Sequence, residues 1–167
     1  MAIMLTDQVC QTQIANGKWL VKGNQLTLLD NGKVMYVPRS FKTDNITFIS
    51  DDFADVRASH FHDLACQYHK MIYTSLTVPQ LRKMGYLICD KGKWICNDIP
   101  KGYLYIENVT FKQTNDLFKQ CLLACYEGKL KSNIMWLAVN FNVGWLFSGK
   151  KKITFKNLYK DGVAWNL

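Results

Sequence analysis

Two polar dipeptides constrain this chain more than any other feature of its sequence. An apolar strand in the first quarter leads to Thr43-Asp44, and about one helix later comes His62-Asp63. Carboxylate and imidazole groups are costly to bury without partners. If both dipeptides face the interior, they either hydrogen-bond to each other or perform a function. We therefore expect Asp44 and His62 to lie within hydrogen-bond or water-bridge reach of each other.

Length and composition favour a single domain, residues 1–167. With 49% hydrophobic residues and only 3 prolines, the chain can bury a substantial core. Its formal charge of +8 at pH 7 is typical of proteins that contact phosphate, nucleic acid or acidic surfaces. Solubility alone explains the same charge equally well.

The lysines concentrate toward the C-terminus, where residues 148–167 form a basic tail that also contains aromatic side chains. This composition is compatible with a surface that binds nucleic acid or an acidic partner. The alternation in Ile153-Thr154-Phe155 instead favours an edge strand that packs on a sheet and leaves its lysines solvated. We prefer the second interpretation.

No segment has the pattern of an export signal or a membrane span. The N-terminus lacks a basic region followed by a long apolar core. The most apolar run, Ile134 to Phe147, is interrupted by Asn140, Asn142 and Gly144. It is also shorter than the roughly 18 to 20 apolar residues that a membrane span needs. We expect a buried helix there, no membrane span, and no secretion by a signal peptide.

The 6 cysteines are expected to be free thiols, because a well-cored chain without an export signal does not need a disulfide framework. Cys121 and Cys125 are one helical turn apart among leucines and are predicted as core residues. Cys89 and Cys96 flank a predicted hairpin that pairs Cys89 with Trp94. The two thiols then share a face only diagonally, so a zinc site there is the weaker alternative.

Turn residues and periodicity predict strands in residues 1–48. Asn31-Gly32 is the strongest short hairpin signal in the chain, and a two-residue turn there pairs Leu29 with Val34. The predicted strands are Lys18–Lys22, Leu26–Leu29 and Val34–Val37.

Residues 49–147 are predicted to be mainly helical, with one hairpin inserted at residues 86–96. The four predicted helices are a long one from Asp51 or Asp52 to Tyr73, a short one from Thr77 to Gly85, one from Thr110 to Tyr126, and a very apolar one that begins at Ser132. The fold class is therefore α+β: a small N-terminal antiparallel sheet followed by a packed helical part.

Three residues of the long helix could bind a transition metal. His62, Cys66 and His69 are spaced by four and three residues and therefore share one helical face. No complete metal motif is present, and no cofactor is otherwise predicted. The alternative is that a carboxylate holds His62 and that His69 lies near the surface.

His62-Asp63 also matches the central dipeptide of HD-type metal phosphohydrolases. That site needs an earlier histidine and a later aspartate as further ligands. Asp116 could be the later aspartate, but no histidine precedes His60. No nucleophile elbow, P-loop or dinucleotide fingerprint is present either.

The chain resembles the bacteriophage and bacterial family called domain of unknown function 1353. The shared order is an apolar strand, a proline, x-x-F-x-T-D, a helix with H-D and a helix with D-x-F. The match covers residues 34–147 in pieces, and Asn-Ile-Thr-Phe follows Thr43-Asp44 where the family has small residues. The matching residues are Pro38, Phe41, Thr43, Asp44, His62, Asp63, Asn115, Asp116 and Phe118.

The resemblance implies a phage origin and a candidate site in which Asp44, His62, Asp63 and Asp116 converge, with Thr43 beside them. The residues themselves place Asp116 almost opposite the apolar face of its helix. It can join a buried cluster only if a further element covers that side.

Two function classes follow. The first is a phage accessory or virion-associated protein in which the Asp/His cluster is structural, with other phage proteins as partners and the host cytoplasm or the virion as its location. The second is an Asp/His hydrolase, metal-assisted or not, that acts on cell wall or on a phosphate ester.

Overall fold

The computed structural model describes residues 1–7, 11–15, 18–43, 56–125 and 128–140. Its fold is α+β, as the sequence predicts. The strands are β1 (Ile3–Met4), β2 (Gln11–Ala15), β3 (Lys18–Val21), β4 (Gln25–Leu28), β5 (Val34–Val37), β6 (Lys42–Thr43), β7 (Lys70–Thr74), β8 (Leu87–Asp90), β9 (Lys93–Cys96) and β10 (Leu104–Asn108). The helices are α1 (Val56–Tyr68), α2 (Val78–Lys83), α3 (Phe111–Ala124) and α4 (Lys129–Asn140).

The main sheet is antiparallel, with strand order β1-β4-β5-β7-β10. Helix α1 packs on β5 and β7, α3 packs on α1, and α4 packs on α3. Large side chains fill the space between these layers; the fully buried ones include Tyr36, Phe41, Phe61 and Phe118. Two smaller antiparallel sheets, β2-β3-β6 and β8-β9, flank this core.

The first hairpin forms where it was predicted, but its register differs by one residue. Val34 pairs with Leu28 and not with Leu29, because three residues rather than two make the loop. The amide of Gly32 donates to the carbonyl of Leu29 at 3.0 Å, and Gly32 has φ +81°. A glycine at positive φ after a tight turn is typical of three-residue hairpin loops.

The long helix predicted to reach Tyr73 ends at Tyr68 instead. Its predicted start lies outside the described residues. His69 takes φ 50°, a left-handed conformation that commonly terminates helices. Residues 70–74 then form β7, an interior strand of the main sheet. The sequence prediction was wrong here because Met71 to Thr74 are all buried, and a strand covered on both faces shows no alternation of apolar and polar residues.

The part predicted as mainly helical therefore contributes two strands to the main sheet, since β10 was also missed. The second hairpin has the predicted register, with Cys89 opposite Trp94. Thr77 and Thr110 cap α2 and α3 as predicted, each in a capping box. Helix α4 begins at Lys129, one turn before the predicted Ser132.

Among the described residues, no helix is both long enough and apolar enough to cross a bilayer. Tyr126 and the basic tail at residues 148–167 lie outside the described part of the chain.

Candidate functional site

The His62 side chain extends from α1 toward α3 and is only 11% exposed. Its ring packs on Phe118 with centroids 4.6 Å apart. Its Nε2 atom lies 3.4 Å from Oδ1 of Asn115 on α3. Burial lowers the pKa of His62 to about 4, although the hydrogen bond to Asn115 acts in the opposite direction. The imidazole is therefore neutral at neutral pH.

A directed chain of hydrogen bonds fixes which nitrogen of His62 carries the proton. Asn140 donates through Nδ2 to the carbonyl of Trp136 at 2.7 Å, and a carbonyl can only accept. Oδ1 of Asn140 must then accept from Nδ2 of Asn115, at 3.0 Å. Asn115 in turn presents Oδ1 to His62, so Nε2 of His62 is the donor and Nδ1 is the unprotonated nitrogen. This relay joins α1, α3 and α4.

Asp63 is also buried but takes part in a different contact. Oγ1 of Thr43 on β6 donates to Oδ2 of Asp63. A second tie between the same elements runs from Nε2 of Gln67 to the carbonyl of Lys42, at 3.1 Å. Consecutive residues of a helix point about 100° apart. His62 therefore faces α3 while Asp63 faces β6, and Oδ1 of Asp63 comes no closer than 4.0 Å to Nδ1 of His62.

The structure places Thr43 beside Asp63, and His62 lies 4.0 Å from Asp63. Asp44 lies outside the described residues, so its predicted contact with His62 stays a prediction.

Asp116 does not join the cluster. It forms an ion pair with Lys112, with Nζ and Oδ2 2.5 Å apart, and its side chain is 39% exposed. It lies in an open groove beside Lys33 and Glu107. The helical offset that points Asn115 at His62 turns the next residue away. The expectation that Asp116 converges with His62 was wrong, and the neighbouring amide occupies that place.

The prediction that His62, Cys66 and His69 share a metal-binding face is wrong for His69. Sγ of Cys66 lies 3.5 Å from Nε2 and 3.8 Å from Nδ1 of His62, so these two side chains do share a helical face. His69 follows the end of the helix and leaves that face. Among the described residues, no group of three His, Cys, Asp or Glu side chains is arranged to hold a metal ion.

Sequence reasoning missed a second buried histidine. His60 is fully buried. Its Nδ1 atom is hydrogen-bonded to Nε2 of Gln25, and its Nε2 atom lies 3.1 Å from Oε1 of Gln11. Oε1 of Gln25 is buried and has no hydrogen-bond partner among the described residues. The available signal was a glutamine at the start of an apolar strand, Gln25 before Leu26, which implies a polar partner inside the fold.

Asn115 and Asn140 were also missed. Asn115 lies among polar neighbours, where nothing in the local pattern distinguishes a buried asparagine from a solvated one. Asn140 interrupts an apolar run, and that interruption was the available signal for a polar partner inside the fold.

Comparison with family models, curated proteins and solved structures gives no match for this chain. The resemblance to domain of unknown function 1353 therefore rests on the residues quoted above.

Proposed function

We propose that this chain is a phage-type accessory or virion-associated protein whose Asp/His cluster is structural. The observation that carries the structural role is the relay from His62 through Asn115 and Asn140 to the carbonyl of Trp136. Each of its three hydrogen bonds is at least partly buried. A satisfied buried network of this kind fixes how helices pack.

The charge state of the cluster supports the same role. A neutral His62 with a pKa near 4 is a weak proton acceptor at neutral pH, and a catalytic base works best when its pKa is near the operating pH. Asp63 is held by the hydroxyl of Thr43. Both side chains therefore serve as cross-links, to α3 and to β6.

A double-mutant cycle tests the structural role. Removing one partner from a buried hydrogen bond typically costs about 1 to 3 kcal/mol. We expect His62→Ala and Asn115→Ala each to lower the free energy of unfolding by that amount, and the double variant to lose less than the sum, because the two side chains share one bond. Urea unfolding followed by circular dichroism measures the free energy of unfolding of the two single variants and the double variant.

Asp116→Asn is the matched control. It removes a carboxylate that the resembled family would place in the site, but here only an exposed ion pair is lost, which is worth about 0 to 1 kcal/mol. If His62→Ala is as stable as the wild type or more stable, the structural role is wrong.

The proposed partners are other phage proteins, in the host cytoplasm or in the virion. Nucleic acid or an acidic surface is a further candidate for the basic tail, residues 148–167. Mass spectrometry of purified particles tests the virion assignment. Detection in the lysate and not in particles would leave only the accessory role.

A hydrolase that acts on cell wall or a phosphate ester is the second candidate, and one observation favours it. Nδ1 of His62 is not used by the relay and lies near both Asp63 and Cys66. Elemental analysis of the purified protein would favour a metal-assisted enzyme if it found stoichiometric zinc, manganese or iron. Turnover of sacculi or of a nitrophenyl phosphate ester that His62→Ala abolishes without unfolding would establish this activity.

A further inference from the structure

The tip of the β8–β9 hairpin is uncovered on both faces. Every residue from 89 to 95 is exposed. Trp94 is 36% exposed and Ile95 is 38% exposed, and these neighbours point to opposite faces of the ladder. Partly exposed apolar side chains on both faces of one hairpin offer apolar area for a contact surface.

Positive charge surrounds this tip. Within the described part of the chain, five exposed cations around the hairpin form no ion pair with a carboxylate: Arg82, Lys83, Lys91, Lys93 and Lys101. Three carboxylates of the described residues lie nearby. Asp90 is exposed on the hairpin opposite Lys93, Asp98 is bound by Arg39 at 3.0 Å, and Asp7 accepts a hydrogen bond from the backbone of Trp94. The surface therefore carries a net positive charge.

Trp94 is held in a defined position. Its backbone exchanges two hydrogen bonds with Asp7, through Oδ2 and through the amide at 2.8 Å. The guanidinium carbon of Arg82 lies 4.8 Å from the centre of the indole, an arrangement that is favourable for a cation and an aromatic ring. A second exposed aromatic side chain follows the hairpin. Tyr103 is 36% exposed, and its ring centroid lies 6.3 Å from that of Tyr86, which precedes β8.

We propose that this hairpin surface (Arg82, Lys83, Lys91, Lys93, Trp94, Lys101 and Tyr103) binds single-stranded nucleic acid. Lys91 and Lys93 contact phosphates, and Trp94 stacks on a base. Positive charge alone would suit a duplex or an acidic protein equally well. Exposed aromatic rings between cations select splayed bases, because every base offers a face for stacking. The surface is separate from the buried cluster and does not depend on its role.

Fluorescence anisotropy of a labelled 15-nucleotide oligothymidine, titrated with the full-length chain at several salt concentrations, tests the proposal. We expect Trp94→Ala to weaken binding about tenfold and Trp94→Phe, which keeps a stacking face, to bind within about threefold of the wild type. Lys91→Gln with Lys93→Gln should reduce the slope of log K against log salt by about 1.4, since each phosphate contact on a single strand contributes about 0.7.

Lys129→Gln with Lys131→Gln is the matched control, because it removes the same charge from α4 and should leave the slope unchanged. The proposal is overturned if the wild type does not bind oligothymidine at low salt, or if the two lysine pairs have equal effects. Equal binding of Trp94→Ala and Trp94→Phe would also overturn it. So would tighter binding to a duplex of the same length or to polyglutamate. A melting curve of each variant ensures that only folded protein is compared.

Discussion

At the scale of single residues, a neutral imidazole at position 62 is the consequence of burial. Desolvation disfavours the charged form of a histidine, and the side chain that favours the charged form, Asn115, is an uncharged amide. Protonation at Nδ1 would place a charge among Phe118, Cys66 and Asp63. Of these three side chains only the Asp63 carboxylate could offset that charge, and the closest atoms of the pair are 4.0 Å apart.

Stability should therefore fall in acid through His62. Its ordinary pKa of 6.5 is lowered to about 4 in the folded protein, so between these values the unfolded state binds more protons than the folded state. The contribution of uncharged His62 to the free energy of unfolding is fully present above pH 6.5 and is lost as the pH falls toward 4. The loss amounts to roughly 3 kcal/mol at most.

Denaturant unfolding of the wild type and of His62→Gln between pH 7 and pH 4 measures this difference. Glutamine can still donate a hydrogen bond to Asn115 but does not titrate, so its curve should fall less steeply. Parallel curves for the two proteins would mean that His62 is not desolvated as described.

At the scale of elements, the position of each turn decides which side chains reach the core. The capping box at Thr110 starts α3 so that Asn115 faces His62, and a start one residue later would present a different side chain. The first hairpin shows the same dependence. Its three-residue loop, closed by Gly32 at φ +81°, moves the register by one and sets which face of β4 each residue occupies.

Gly32→Ala should therefore destabilise the protein. A Cβ atom at position 32 would meet nothing within 4 Å, so the cost comes only from the left-handed backbone and should be about 1 kcal/mol. Gly102→Ala is the matched control, because that glycine also has open space around it but does not have a positive φ. Thermal unfolding compares the two. Equal midpoints would show that the loop relaxes to another turn.

At the scale of the whole molecule, the main sheet assembles segments that are distant in the chain. Strand β7 lies between β5 and β10, and α1 packs on β5 and β7 while α3 packs on α1 and contacts β1. This arrangement buries Cys96, Cys121 and Cys125 and leaves Cys89 exposed. None of the five cysteines among the described residues forms a disulfide, and Cys10 lies outside them. Burial raises the thiol pKa of Cys96 and of Cys121.

Thiol reactivity should follow this burial pattern. Titration in denaturant without a reducing agent should recover 6 thiols, the number in the sequence. In the native protein, brief treatment with iodoacetamide followed by peptide mapping should modify Cys89 well before Cys96 and Cys121, because the thiolate is the reactive form. A shortfall of thiols in pairs, or early modification of Cys121, would contradict this expectation.

The sequence by itself determined the features that depend on neighbouring residues. The α+β class, the caps at Thr77 and Thr110, and the register of the second hairpin were all predicted correctly. Asn31-Gly32 located the first hairpin correctly, although not its loop length. These features succeed because caps and turns are governed by interactions across a few residues.

Only the tertiary structure decided the features that depend on what covers a segment. Residues 70–74 follow a helix without any turn-forming cluster, and their burial on both faces removed the alternation that identifies a strand. Packing between distant segments also decided which residues form the candidate site. The resemblance selected Asp116, but the packing of α3 between α1 and α4 placed Asn115 beside His62. Packing across distant segments, which no local pattern records, chose between these adjacent residues.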